Sequence, residues 1–175
     1  SEPYNLAQWY TAGKFAKYKT VSWLEQEDAL KITFTYQAAC VPTFEFTVTY
    51  TAHFDGKLDV CVNYAGVSGM PDMPVLALDF KMKKQLCSFR YYGLGPDENY
   101  SDRCKGARLG LWKSTAKENL SGYLNPQECG NRTGVRTLSI HDDMQHGLTF
   151  QKASAPFEMS VLQYSCLLYT SPSPR

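Results

Sequence analysis

Apolar and polar residues alternate with a period of two along much of this chain. Ile32, Phe34 and Tyr36 interleave with Lys31, Thr33 and Thr35, and Phe44, Phe46, Val48, Tyr50 and Ala52 interleave with Glu45, Thr47, Thr49 and Thr51. Successive side chains of a strand point to opposite faces, so both runs predict strands with one apolar and one polar side. Asp55-Gly56 follows, and Leu58, Val60, Val62 and Tyr64 resume the alternation, which predicts a β-hairpin. Ahead of these strands, Asn5 is placed to cap a short helix that carries Leu6, Trp9 and Tyr10 on one face, and Gly13 opposes its continuation.

Further along, Gly66 to Pro74 reads as a loop, and strands are predicted at Val75 to Met82 and Leu86 to Tyr92. Gly93 to Arg103 reads as a loop, Arg108 to Trp112 as a short strand, Ser114 to Leu120 as a helical turn and Tyr123 to Val135 as a second loop. Strands resume at Val135 to Ile140, Leu148 to Lys152 and Phe157 to Tyr164. Short strands at this spacing predict an all-β antiparallel sandwich. No internal repeat or linker interrupts residues 1–165.

Composition narrows the function classes. The 175 residues suit one domain, and a formal net charge of +1 with interspersed signs carries no nucleic-acid footprint. Lys81, Lys83 and Lys84, the richest basic stretch, read as a solvated strand face. No apolar run has the length of a membrane span, and no charged-then-apolar leader is visible. The six cysteines are irregularly spaced without a C-x-x-C pair, so a zinc ribbon is disfavoured and reduced thiols in a cytoplasmic protein are the simpler account. Glycosylation-type triplets at Asn99, Asn119 and Asn131 read as coincidence. The high aromatic content suits strand surfaces and core, and it also occurs where sugars stack on aromatic faces.

Two segments concentrate unusual chemistry. In "YYGLGPDENYSDR", Tyr91 to Arg103, Gly93 and Gly95 permit backbone angles closed to other residues and Pro96 fixes the next turn. A phosphate-binding loop is set aside, because the G-x-G runs into proline rather than a helix start. Glu98, Asp102 and Arg103 are the types that supply catalytic acids with an electrostatic partner, but the expected role is a salt-bridged network that ties a long loop down. In "NPQECGNRTGVR", Asn125 to Arg136, the residues Gln127, Glu128, Asn131, Arg132 and Arg136 can satisfy a packed loop's backbone or line a sugar-binding edge. His141, Asp142, Asp143 and His146 are metal-capable types on an expected exposed turn, and no metal site is assigned to them. His53 is expected to be exposed on the polar side of its strand. No nucleophile–base pair is evident, and nothing nominates the two carboxyls, roughly 5–9 Å apart, that a glycosidase needs.

In this order and separation, the two segments resemble the C-terminal domain of glycoside hydrolase family 2 β-galactosidases. The first family motif, W-x-G-x-G-P-x-E-x-Y-x-D-R, is matched by Gly93, Gly95, Pro96, Glu98, Tyr100, Asp102 and Arg103, with Tyr91 in place of the tryptophan. The second, P-Q-E-N-G-N-R-x-x-x-R, is matched by Pro126, Gln127, Glu128, Gly130, Asn131, Arg132 and Arg136, with Cys129 in place of the asparagine. "FEMSVLQYS" from Phe157 to Ser165 and "WYTAG" from Trp9 to Gly13 are similar to flanking segments of the same family. The resemblance covers residues 1 to about 165.

It implies an antiparallel supersandwich of the galactose-mutarotase type, incomplete at its C-terminal end, beside a catalytic (β/α)₈ barrel. In such enzymes the barrel supplies both glutamates and this domain walls one side of the cleft, so no catalytic residue is expected here. The parent would hydrolyse terminal β-galactosides such as lactose with retention, as an oligomer requiring Mg²⁺ and often Na⁺ or K⁺. No cofactor is expected in this chain. A backbone sodium site of some relatives includes positions equivalent to Asn125 and Pro126, but Asn125 departs from the usual aromatic and the site is not assigned.

The end of the chain, "CLLYTSPSPR" from Cys166 to Arg175, matches one reading frame of a transposase adapter used in sequencing libraries. It is expected to be a read-through scar rather than native tail. The resulting expectation is an inactive fragment of a β-galactosidase. The alternatives are a small non-catalytic subunit of a two-chain enzyme, a stand-alone carbohydrate-binding sandwich, and a diverged structural sandwich that kept the loop network for stability alone.

Overall fold

Residues 2–124 and 127–164 are described by a computed structural model, and the chain divides into two units, Ser1–Asp79 and Phe80–Arg175. Asn125, Pro126 and the tail from Cys166 to Arg175 lie outside the described residues.

The first unit holds a helix α1 (Glu2–Ala12) and four strands, β1 (Lys17–Glu25), β2 (Ala29–Gln37), β3 (Glu45–His53) and β4 (Leu58–Asn63). The strands form an antiparallel meander in chain order. The alternation decides its faces: Tyr36 lies opposite Phe46 and Phe34 opposite Val48, while Thr33 lies opposite Thr49 on the other side. Tyr36 stacks on Phe46 at 5.5 Å between ring centroids, and Phe34 meets Tyr50 edge-on at 6.0 Å. Each such aromatic pair contributes about 0.5–1.5 kcal/mol beyond its buried area. On the polar face the Thr33 and Thr49 hydroxyls pair across the strands at 3.1 Å. The expected turn is present, with Gly56 at φ +89° and the Lys57 backbone N–H bonded to the Asp55 carboxylate.

Three expectations in this unit are corrected. The helix starts at Glu2, ahead of Asn5, with Pro3 in a first turn where its missing N–H costs nothing. Strand β1 is an addition to the expected elements, because a bulge between Tyr18 and Thr20 shifts its register and breaks the period of two. His53 is not simply exposed, since its Nε2 lies 2.8 Å from Asp59 Oδ2. Trp9 helps to dock α1: it packs on Phe44 and Tyr64 and donates its indole N–H to Pro71 O at 3.1 Å.

The second unit holds β5 (Ser88–Gly95), β6 (Arg108–Thr115), β7 (Asn131–Val135), β8 (Thr137–His141), β9 (Gly147–Gln151) and β10 (Phe157–Ser160). One antiparallel sheet has the order β6-β5-β8-β9, and a two-stranded sheet pairs β10 with β7. Phe89, Tyr91, Leu138 and Ile140 from the larger sheet meet Val135 and Met159 from the smaller one in a buried cluster. Two sheets packed face to face on one core make this unit a small sandwich. The all-β, antiparallel expectation therefore holds.

The strand expected at Val75 to Met82 is absent, and Lys81, Lys83 and Lys84 sit on irregular chain instead. Alternation describes a face, but a strand also needs a ladder partner, and this segment has none among the described residues. The loop expected from Gly93 starts only at Pro96, and the loop expected to run to Val135 becomes β7 from Asn131. Close packing explains the first change: a Cβ at Gly93 would lie 3.0 Å from the Val135 Cα, and one at Gly95 would meet the Tyr91 hydroxyl and lie 2.8 Å from Trp112 Cδ1. The glycines serve strand packing rather than loop freedom. Gly95→Ala is expected to destabilise the chain by about 1–3 kcal/mol through overpacking, read as a lower urea midpoint.

Candidate functional site

Both motifs converge on one place in the second unit. Strand β5 ends at a cis Gly95–Pro96 bond, and the following loop doubles back through paired backbone bonds between Tyr100 and Arg103. β7 begins at Asn131, so both motifs lie where the β5 exit meets the start of β7. Asn99 N–H donates to Asn131 O at 3.0 Å, and the Asn131 amide donates back to Asn99 O at 3.1 Å.

Glu98 is the first hub. Its carboxylate accepts from the Gly130 backbone N–H at 2.8 Å, Ser121 Oγ at 2.7 Å, Arg103 Nη2 at 3.1 Å and the Tyr123 hydroxyl. Gly130 stands at φ +72°, and a Cβ there would lie 2.7 Å from the Asn119 carbonyl oxygen and 2.9 Å from Leu162 Cδ2, so only glycine presents that N–H here without strain.

Asn99, 2% exposed, is the second hub. Its amide nitrogen donates to Leu94 O at 3.1 Å and Asp97 O at 3.0 Å, and its oxygen accepts from the Thr133 N–H and hydroxyl at 3.0 and 2.6 Å. Asn119 donates to Gly130 O and Val161 O, and Asn131 also donates to the Glu158 carboxylate. The three glycosylation-type asparagines are thus buried and hydrogen-bonded, and a glycan on any of them is incompatible with this fold.

The other motif residues divide. Tyr100 donates its hydroxyl to Glu128 O at 3.1 Å, and the Arg103 guanidinium sits over its ring. Arg132 donates to the Tyr91 hydroxyl, Pro96 O and Asn131 O. Arg136 donates to Gly134 O and lies over Tyr92. Asp102 is exposed and takes no part in the expected salt-bridged network, which within its loop reduces to Glu98 and Arg103. Gln127 and Glu128 keep exposed side chains that make no hydrogen bond among the described residues, so they do not satisfy the loop as expected. Pro126 lies outside the described residues. Asn99, Asn119, Ser121, Tyr123 and Thr133 carry no signal of this role in the sequence, although Asn99 falls inside the first motif.

Burial pushes the Tyr100 phenol up to about 12, helped by the nearby Glu98 and Glu128 charges. Burial also raises Tyr91, against a lowering pull from Arg132. A phenol that holds its proton more tightly folded than unfolded supports the fold fully below its free pKa of about 10. That support is lost as pH climbs from about 10 towards about 12. The melting temperature is expected to fall across that window, and Tyr100→Phe to flatten the fall. An absorbance titration should then lose its latest-ionising phenol.

At His141 to His146 the chain makes the expected turn, where the Asp142 carboxylate accepts from the Met144 and His146 backbone N–H groups. No three metal-capable side chains come together among the described residues. A hollow of about 230 Å³ is lined by Gly13, Ala16, Tyr36, Phe46 and Val48, and one of about 80 Å³ includes Arg90, Ser139, His141 and Thr149. Neither is lined by a motif residue.

Residues 2–169 match the family model described as beta galactosidase small chain. Among curated relatives, the chain is 33% identical over 163 residues to a β-galactosidase of Streptococcus thermophilus and 36% identical over 162 residues to one of Lactobacillus delbrueckii subsp. bulgaricus. Both alignments cover 93% of this chain and 16% of the relative, so the chain spans about a sixth of their length. It is also 33% identical over 151 residues to a β-galactosidase small subunit of Latilactobacillus sakei, covering 81% of this chain and 47% of that protein.

Proposed function

The chain belongs to the β-galactosidase small-chain family, and from that premise we propose that it is a non-catalytic part of a β-galactosidase. The carrying observation is how the motif carboxylate is used. Glu98 is fully engaged by four donors from its own unit and has no freedom to act as acid, base or nucleophile on a sugar. The conspicuous chemistry of the loops goes into holding them.

In this reading the catalytic part is a (β/α)₈ barrel, in cis or as a separate large subunit, that supplies both glutamates. It hydrolyses terminal β-galactosides such as lactose with retention at the anomeric carbon, and the present domain supports it and walls one side of the cleft. Mg²⁺ and Na⁺ or K⁺ belong to the rest of the enzyme, an oligomer. The five described cysteines are unpaired, which supports a cytoplasmic setting.

The small-subunit relative from Latilactobacillus sakei favours a two-chain arrangement as the second reading. A stand-alone sugar-binding sandwich is the rival of a different class. The purified chain is expected to leave a chromogenic β-galactoside unhydrolysed and to give no heat of binding with galactose. Turnover by the chain alone would sink the proposal, and saturable binding of free galactose would favour the rival.

A further inference from the structure

The outer face of the sheet β6-β5-β8-β9 carries a charge arrangement that strand pairing alone disfavours. Arg90 is exposed between the buried Phe89 and Tyr91, so it stands on the side of β5 away from the core. Lys113 lies directly opposite it on β6, and Ser139 and Thr149 continue the same row across β8 and β9. Like charges directly opposite on neighbouring strands destabilise the pair. No aspartate or glutamate occurs in any of the four strands to offset them. Arg136 adds a third cation near the row, over the ring of Tyr92 on the same face.

Arg90 also lines the hollow of about 80 Å³, together with Ser139, His141, Gln145 and Thr149. Each of these five side chains can donate a hydrogen bond, and no carboxylate is among the described lining residues. Ser139 Oγ and Thr149 Oγ1 lie 3.0 Å apart, a bond that uses one of the two hydroxyl protons. Opposite His141 stands Gly147, which brings no side chain to fill the space. Asp142 follows in the turn, but its carboxylate accepts from the Met144 and His146 backbone N–H groups. The hollow is well below the roughly 300 Å³ at which small-molecule pockets begin, so it suits a compact group rather than a sugar. We propose that it is a binding site for a phosphate-type oxyanion, with the Arg90 guanidinium as the main contact and Lys113 as a supporting charge. Arginine's planar fork engages two oxygens of such an anion, and the remaining oxygens meet the hydroxyl and amide donors. The bound charge also offsets the opposition of Arg90 and Lys113. This site does not depend on the functional reading above.

Titration calorimetry of the purified chain with inorganic phosphate, at low salt in a phosphate-free buffer, tests this directly. Saturable binding is expected, at least about tenfold weaker in Arg90→Gln and several-fold weaker in Lys113→Gln. Both side chains are exposed, so both variants should keep the wild-type circular dichroism spectrum. Acetate at the same ionic strength should bind at least about tenfold more weakly than phosphate, because it offers two oxygens to the same donors. Methyl phosphate run beside inorganic phosphate separates an ester from the free anion as the source, and saturable binding of either supports the site. No saturable heat with either would overturn it, as would unchanged affinity in folded Arg90→Gln or acetate binding as tightly as phosphate. Where Arg90→Gln does not fold, Thr149→Val removes a hydroxyl donor and is expected to bind several-fold more weakly. Wild-type affinity in folded Thr149→Val would then overturn the site.

Discussion

Glu98→Ala is expected to lower the melting temperature more than any other single change in the motif loops. The substitution strands the Gly130 N–H, the Ser121 hydroxyl and the Tyr123 hydroxyl, which all converge on one carboxylate that is 16% exposed. The Arg103 contact adds little, since that side chain is more than half exposed and solvent screens it. A largely buried acceptor that serves several donors is worth about 3–5 kcal/mol on removal, or about 10 °C in a domain of this size. Glu98→Gln keeps the shape but turns one end of the group into a donor facing donors, so it should fall between wild type and alanine. A melt of Glu98→Ala within two or three degrees of wild type, on the order of 1 kcal/mol, would show that the loop is held by something else.

Asn99→Ala is expected to cost about 3 kcal/mol, read as a lower urea midpoint with an unchanged slope. The reasoning is the same at a drier site. The amide spans the end of β5 and the middle of β7, and alanine leaves the Thr133 N–H and the Leu94 carbonyl without partners. Asn99→Asp separates the donor and acceptor halves of the role. It keeps the oxygen for Thr133 but sets a carboxylate against Leu94 O and Asp97 O, so it should be at least as damaging as alanine. An Asn99→Asp variant milder than alanine would show that the amide donors to Leu94 O and Asp97 O contribute little.

Much of this organisation is legible in the sequence. The meander from β2 to β4 follows from strict alternation, because each residue there faces one of two sheet sides. Strand β1 escapes that pattern because one bulge at Tyr18/Thr20 moves the apolar positions off the period. The segment from Val75 to Met82 misleads for the opposite reason: it alternates without a neighbouring strand, among the described residues, to pair with. The motif loops stand out in the sequence, but their division of labour does not. Asp102, Gln127 and Glu128 are as polar as Glu98 and Asn131, and only tertiary placement decides which of them meets a donor. Asn99 shows this most plainly, since a triplet that resembles a modification signal holds a buried amide bonded on every side.

The central claim is that this chain serves a β-galactosidase without containing its chemistry. The most direct test produces the chain and the catalytic part separately and follows hydrolysis of a chromogenic β-galactoside by each alone and by the mixture. No turnover is expected from the chain, and substantial turnover only when both are combined. Hydrolysis by the chain alone, or a mixture no more active than the catalytic part by itself, would contradict the claim.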